Sequence, residues 1–482
     1  MRIRISYSII ITGILLSLLG SACKKDETLS AGGQITFSDD TLRFDTVFTQ
    51  QASFTNGFKI YNPQDKKIVI SATRMQKGNS SYFHLNVDGH TGNNITDLVI
   101  QPHDSIYVFA TMNADPNNVN TPFVIEDDFV ATMNGKDFKL HFMAYGQNAY
   151  YVKDSVLAGK TIYWRTDKPY IVIHSARVAD TSTLIIPAGC RVYMHQDSRL
   201  EVFGTLKVNG TKTDTVVFQG DRLDRFYFGY EGYPGEWGGI YFSPMSSGSI
   251  ISYSRLLNCG NTGVLPAGIY VAIDSVHDVA HPQLSMDHTI IQNSLGYGIL
   301  SLGGTINANN CLVNTCGAWA MALTAGGNYK IDNCTFATYG NDKISHTDNG
   351  TVALLNYFDT SQTLYLSGDM NAVLTNCIIY GSLDTEIFCN TKAPVSGGTA
   401  LYNVTLNNCL VKGGQPPLTK VGVVANNCIY NQDPLFVNYT NFNFRLSTGS
   451  PAIDKGITTP FIYDLDGNMR TGIYDIGCYE KL

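Results

Sequence analysis

Short runs in which apolar and polar residues alternate dominate the first part of the chain. Examples are Asp45-Thr46-Val47-Phe48, Phe58-Lys59-Ile60-Tyr61, Lys67-Ile68-Val69-Ile70 and Phe138-Lys139-Leu140-His141-Phe142. A period of two sends successive side chains to opposite faces of a strand. Turn residues separate the runs: Asn62-Pro63, Asp88-Gly89, Gln101-Pro102 and Asn134-Gly135. Roughly seven such strands within 34–150 predict a β-sandwich. No long stretch carries a helical period, so the whole chain reads as all-β.

From about residue 150 the pattern changes. Runs such as Leu184-Ile185-Ile186-Pro187-Ala188-Gly189, Leu200-Glu201-Val202-Phe203-Gly204 and Leu206-Lys207-Val208-Asn209-Gly210 end repeatedly in Gly or Asn. A strand, a tight corner and another strand is how one coil of a β-solenoid reads. The pair Asn-Cys then recurs at Asn258-Cys259, Asn310-Cys311, Asn333-Cys334, Asn376-Cys377, Asn408-Cys409 and Asn427-Cys428. From Cys311 onward the cysteines are 23, 43, 32 and 19 residues apart. The first and last spacings fit one coil, 43 fits two, and 32 fits a coil with an inserted loop. In a parallel solenoid a residue type at a fixed place in the coil stacks into a ladder, one rung every ~4.8 Å. Asn tolerates the left-handed backbone of a corner, and its amide can bond to the Asn one rung away. Cys is small and apolar enough for an inward row. About 12 coils are expected across 151–430, with loops at 226–236 and 274–282 protruding from the stack.

Composition sharpens this. The chain has 482 residues, 44% hydrophobic and only 15% charged, with 45 Gly, 28 Tyr and 23 Phe, a mix suited to strands and turns. The net charge is −7 and there is no basic run, which argues against nucleic acid as a partner. Eleven cysteines suggest disulfides at first. The repeated Asn-Cys context places several of them in an interior row instead. Cys311 and Cys316 are the one near pair, too few ligands for a zinc site, so neither a metal nor another cofactor is expected.

The first residues carry a targeting signal. Arg2 and Arg4 precede a short apolar run over 9–19, and Gly20-Ser21-Ala22 lead into Cys23. This resembles the lipobox of bacterial lipoproteins, with Gly20 where that family usually has Leu. The resemblance implies a signal peptide over 1–22, acylation of Cys23 and a lipid-anchored tether over 23–33. Lys24-Lys25-Asp26-Glu27 resembles the surface-export signal of Bacteroidetes lipoproteins and implies an outer-membrane, cell-surface location.

Longer resemblances follow. Phe58-Lys59-Ile60-Tyr61-Asn62-Pro63 and Tyr145-Gly146-Gln147 resemble the immunoglobulin-like domains that open many Bacteroidetes surface proteins. Trp237-Gly238-Gly239-Ile240-Tyr241-Phe242 resembles an element of right-handed parallel β-helix repeat proteins of the pectate-lyase type. Asp433-Pro434-Leu435-Phe436, Gly449-Ser450-Pro451-Ala452-Ile453-Asp454, Asp464-Leu465-Asp466-Gly467, Arg470 and Tyr474-Asp475-Ile476-Gly477-Cys478-Tyr479-Glu480 resemble the C-terminal region of choice-of-anchor Q proteins, with Cys478 where Ala is more usual. That region, 431–482, is expected to cap the open end of the solenoid, an edge that would otherwise template aggregation.

Candidate chemistry is sparse. Asp287 with His288, Lys330 with Asp332, Asp342 with Lys343, and His346 with Asp348 form no motif repeating at coil spacing, and Asp287-His288 reads as a corner substitution. Asp464-Leu465-Asp466-Gly467-Asn468 resembles half of a calcium loop but lacks the later acid, which favours an Asx turn. Tyr230, Tyr233 and Trp237 lie in an aromatic, Gly-rich stretch and are the candidate glycan contacts, although such a stretch can equally fold over the first coils. Two functions remain: a monomeric, non-catalytic surface protein that binds a polysaccharide or a protein, or a polysaccharide lyase or glycoside hydrolase. Three or more ionisable groups meeting in one groove would favour the enzyme.

Overall fold

Strand-forming residues between frequent turns give an all-β chain. The computed structural model describes residues 28–29, 31–117, 119–223, 232–272, 283–361, 364–394, 397–413 and 422–481. Cys23 and Tyr230 therefore lie outside the described residues. The chain divides after Asn148 into two units.

The first unit is a sandwich of two five-stranded sheets. One sheet runs Thr36–Phe37, Asn56–Tyr61, Ser105–Met112, Phe83–Val87, His90–Thr91. The other runs Thr41–Phe48, Lys136–Gln147, Phe123–Met133, Ile68–Met75, Asn94–Ile100. All pairings are antiparallel except that of Thr41–Phe48 with Lys136–Gln147. The inward halves of the alternating strands supply a phenylalanine core. Phe58 lies 5.1 Å from Phe129, and Phe83 lies 5.3 Å from Phe142 and 5.5 Å from Phe44 between ring centroids. Residues of the stretch read as a tether, 23–33, touch this unit. Thr28 bridges to Lys67, and Leu29 packs against this core and donates its N–H to Lys67 O.

The second unit is a parallel β-helix of 26 strands. One turn runs through Thr305–Asn309, Leu312–Cys316 and Met321–Thr324 before Gly327–Asp332 stacks on its start. These strands belong to three faces, called here sheets I, II and III in that order. Ile306 and Ala308 of sheet I, Val313 of sheet II, and Met321 and Leu323 of sheet III point into one continuous core.

The corner between sheets I and II confirms the ladder. Asn310, Asn333, Asn376, Asn408 and Asn427 all have φ between 48° and 54°. Register places Asn309, Asp332, Thr375, Asn407 and Asn426 in one column, so the Asn and Cys that follow each also stack. Asn376 Nδ2 donates to Asn333 Oδ1 at 2.9 Å, as a rung-to-rung bond requires. The Cys311 N–H reaches Cys334 Sγ at 3.4 Å. None of the ten described cysteines forms a disulfide.

Three expectations need correction. Asn258-Cys259 belongs to another corner, between sheets II and III. There it stacks under Asn293-Ser294 and Thr315-Cys316, also with φ of 58°, 61° and 52° at the first residue of each pair. The 43-residue spacing is one coil and not two, because Gly327–Asp332 pairs directly with Met370–Thr375. Its extra length lies in insertions at 339–351 and in the hairpin Tyr357–Asp359/Tyr365–Ser367. The solenoid equation of spacing with coil number fails wherever such an insertion leaves the stack.

The C-terminal region, expected as an end cap, lies along a flank, and among the described residues it does not cover the last rung. The strand Val423–Asn426 has exposed or half-buried residues throughout. Outward residues of sheet II, Leu312, Ala337, Ile378 and Leu410, pack instead against Phe444, Leu446, Ala452, Ile476 and Cys478. Sheet II is apolar on both faces, so its outer face needs a cover more than the end does. The asparagine column supplies the seam: Asn333 Nδ2 donates to Thr459 Oγ1, Asn376 Nδ2 to Ile457 O and Asn408 Nδ2 to Lys455 O. Further along, Arg470 donates to Asn310 Oδ1.

Candidate functional site

Sheet III carries an outward column rich in aromatic and apolar side chains. Its strands repeat a triplet in which the flanking residues point inward and the middle one outward: Leu200-Glu201-Val202, Ile240-Tyr241-Phe242, Ile269-Tyr270-Val271, Ile299-Leu300-Ser301, Met321-Ala322-Leu323, Val352-Ala353-Leu354 and Ile387-Phe388-Cys389. Register stacks the middle residues in one outward column, with Arg177 beneath Glu201.

The column has three parts. At one end Arg177 lies 4.7 Å over the Phe203 ring, Phe203 lies 6.3 Å from Tyr241, and Tyr241 lies 5.5 Å from Tyr270, edge to face. In the middle Leu300, Ala322 and Ala353 form a floor, with Tyr297, Trp319, Leu302 and Leu355 packed around it. At the far end Phe388 is 44% exposed and 6.3 Å from Trp319. Tyr270 and Phe388 are four rungs apart, about 19 Å. Leu300, Ala322 and Ala353 are themselves only 4%, 2% and 1% exposed, so it is the half-buried Tyr270, Tyr297, Leu302, Trp319 and Leu355 over them that form an apolar band along the helix axis. Burial raises the hydroxyl pKa of Tyr270 and Tyr297, which keeps both neutral donors.

Charge meets this band at one end. Glu201 accepts from Arg177 Nε and Arg199 Nε, both at 2.7 Å. Burial opposes ionisation of Glu201, but the hydrogen bonds from Arg199 and Arg177 outweigh it and hold the carboxyl below its usual range. A carboxylate so held is a poor proton acceptor. Both arginines keep about half or a third of their side-chain surface exposed beside the aromatic end.

Of the aromatics singled out from sequence, Tyr233 is 46% exposed, with Lys343 Nζ 5.1 Å over its ring and its N–H donating to Glu236 Oε1. Trp237 is fully buried, stacks on Phe218 and donates Nε1–H to Leu257 O at 2.8 Å, so it plugs the core and cannot touch a glycan. Sequence reasoning missed Tyr241, four positions on, and Tyr270. The signal was available in the repeated apolar-Tyr-apolar triplet, read as period two.

Of the ionisable groups read from sequence, His288, His346 and Asp464 are tied into structure. His288 takes the corner position of Asn310, with Nδ1 2.7 Å from Asp287 Oδ1 and its ring stacked on Tyr253. His346 pairs with the buried Glu386, which also accepts from Thr351 Oγ1 and the Leu383 N–H. Asp464 accepts from the N–H groups of Asn468 and Glu480, the geometry of an Asx turn tied to the chain end.

No family model and no curated protein matches the chain. Among solved structures it is similar to the E. coli chaperone DraB at 7% identity, covering 25% of this chain and 58% of that one, with a TM-score of 0.18. It is also similar to a family 123 glycoside hydrolase from Clostridium perfringens at 8% identity, covering 23% of this chain and 26% of that one, with a TM-score of 0.17. The chain thus spans less than two thirds of either, and likeness at that level carries no argument about function.

Proposed function

We propose that this protein is a lipid-anchored cell-envelope protein that holds a polysaccharide strand along the outer face of sheet III without cleaving it. The observation that carries this is the band of half-buried and exposed rings along sheet III, from Tyr241 and Tyr270 past Tyr297 and Trp319 to Phe388. Aromatic faces set along a flat, parallel sheet match a chain of sugar rings, whose faces are apolar and whose edges are polar. The Arg177 and Arg199 guanidiniums at one end suit an acidic sugar. The lipobox-like Leu19-Gly20-Ser21-Ala22-Cys23 supports anchoring through Cys23, and the residues after it support export to the cell surface of the outer membrane. The protein acts as a monomer in this reading.

The alternative of a polysaccharide lyase or glycoside hydrolase draws on Arg177, Glu201 and Arg199 meeting on the same face. Its weakness is that the one carboxylate is already spent on two guanidiniums. The test is a glycan array with the purified protein, followed by affinity measurements for Tyr270→Ala and Phe388→Ala and an assay for unsaturated sugar products. Binding weakened by about tenfold in each variant, with no product, is the expected result. Unsaturated products dependent on Glu201 would replace binding by lyase chemistry.

A further inference from the structure

A second surface, in the sandwich unit, has a different character. Strands Phe83–Val87 and Ser105–Met112 pair so that Asn86 sits opposite Phe109 and His84 opposite Thr111. Alternation turns these four outward, while Leu85 and Ala110 begin the core beneath. The 3-10 turn Gly78–Ser80 and the loop after His90–Thr91 rise at the sides. Together they enclose an open depression of about 860 Å³.

Its lining is uncharged apart from the titratable ring of His84. Thr55, Asn79, His84, Thr91, Asn93 and Thr111 all line it, and none of their side chains has a hydrogen-bond partner among the described residues. Asn86 accepts from the Gly89 N–H through Oδ1, which leaves its amide N–H groups to the depression. Amide, hydroxyl and imidazole groups offer donors and acceptors side by side without net charge. The buried Asn62 of the same unit, by contrast, donates to three backbone carbonyls.

One wall is aromatic. Phe109 is 43% exposed and leans onto Gly57 of the neighbouring strand. A Cβ at residue 57 would lie 2.9 Å from Phe109 Cδ1, so glycine there is what lets the ring settle against the backbone. Tyr107 holds a parallel plane, tilted by only 3°, with its centroid 5.7 Å from that of Phe109. That separation is about the length of one pyranose ring, and Lys59 Nζ sits 4.6 Å over the Tyr107 ring.

We propose that this depression is a second glycan-binding site, specific for a neutral oligosaccharide and independent of the sheet III band. The exposed ring takes the apolar face of a sugar, and the ring of uncommitted amides and hydroxyls takes its hydroxyl groups. A charged ligand would find no counter-charge among the residues that line the depression, Lys59 lying outside them on Tyr107. A peptide added to a sheet edge would use backbone groups and would have no need of these side chains.

The test uses the whole protein with cellohexaose, xylohexaose and mannohexaose as neutral probes and hexagalacturonate as the acidic one. Isothermal titration is compared for the parent, Phe109→Ala, Asn93→Ala and Tyr270→Ala. The expected result is that at least one neutral probe binds, that Phe109→Ala and Asn93→Ala each weaken it by about tenfold or more, and that the binding these two remove is still present in Tyr270→Ala, whose own loss falls on sheet III. Asn93 lies in a surface loop, so its variant reports even if Phe109→Ala is poorly folded. Three outcomes overturn the proposal: no neutral probe binds, neutral binding survives both sandwich variants, or it disappears only with Tyr270→Ala. The last would assign all sugar binding to sheet III, and loss of hexagalacturonate binding alone in Tyr270→Ala would leave the sandwich site standing.

Discussion

Asn376 is the best single point at which to break the seam between the solenoid and its C-terminal flank. It is fully buried and sits at φ 53°. Its Nδ2 donates to Ile457 O at 2.7 Å and to Asn333 Oδ1 at 2.9 Å, and its Oδ1 accepts from the Ile457 N–H at 2.9 Å. Asn376→Ala leaves three partners unmatched in a sealed place, at about 1 kcal/mol or more for each. It also puts a Cβ residue without local side-chain bonding into the left-handed region, for about 1–2 kcal/mol. The expected loss is therefore about 4–5 kcal/mol. Asn427 is the matched control, with φ 54° on the exposed last rung and no side-chain partner among the described residues. Asn427→Ala should lose only the backbone contribution, about 1–2 kcal/mol. Asn376→Gly keeps the backbone and should recover about 1 kcal/mol of the alanine loss. Urea unfolding gives the energies, and limited proteolysis over 455–480 reports whether the flank lifts. Equal losses for Asn376→Ala and Asn427→Ala, with the flank still protected, would refute the seam.

Three further outcomes follow from the same packing. Burial and the neighbouring Asp475 carboxylate raise Glu480 to about 7 in spite of Arg470, against an ordinary 4.5. The folded state thus keeps a proton that the unfolded chain releases, so flank stability should fall as pH rises from about 4.5 to 7 and Glu480→Gln should flatten that slope; protection of 464–480 from hydrogen exchange that grows over this range, once the intrinsic pH dependence is removed, would contradict it. Among the described cysteines Cys428 alone is not fully buried, so an alkylating reagent should label it first in native protein, and equally fast labelling of Cys334 or Cys377 would mean the column is not internal. Trp237→Ala should cost about 3–5 kcal/mol in thermal or urea unfolding while the folded fraction binds glycan unchanged, and a selective binding loss would return Trp237 to the contact surface.

What the residue pattern revealed depended on distance along the chain. Alternation over 34–147 was enough for a sandwich, because one face of each strand must be apolar wherever it packs. Asn310 and its successors were enough for a stacked corner, because only a few residue types accept φ near 50° and a solenoid repeats its corner at every rung. The same logic failed for Asn258-Cys259, since left-handed residues stand at more than one corner of the coil and a dipeptide does not say which one it occupies. It failed for the 43-residue spacing as well, because a hairpin that leaves the stack adds length and no rung.

The candidate surfaces were less legible. Tyr241 and Tyr270 are separated by 29 positions in sequence yet meet at 5.5 Å, and nothing local distinguishes them from Trp237, which the fold turns inward. Gly57 becomes meaningful only when Phe109 lies on it. The sequence by itself determined that the chain forms strands, which faces are apolar, and where the solenoid must turn, because these follow from short-range sterics and a period of two. Only the tertiary structure decided that the last fifty residues cover a flank, which aromatic rings face solvent, and which polar groups go unmatched, because each depends on partners brought from distant rungs and strands.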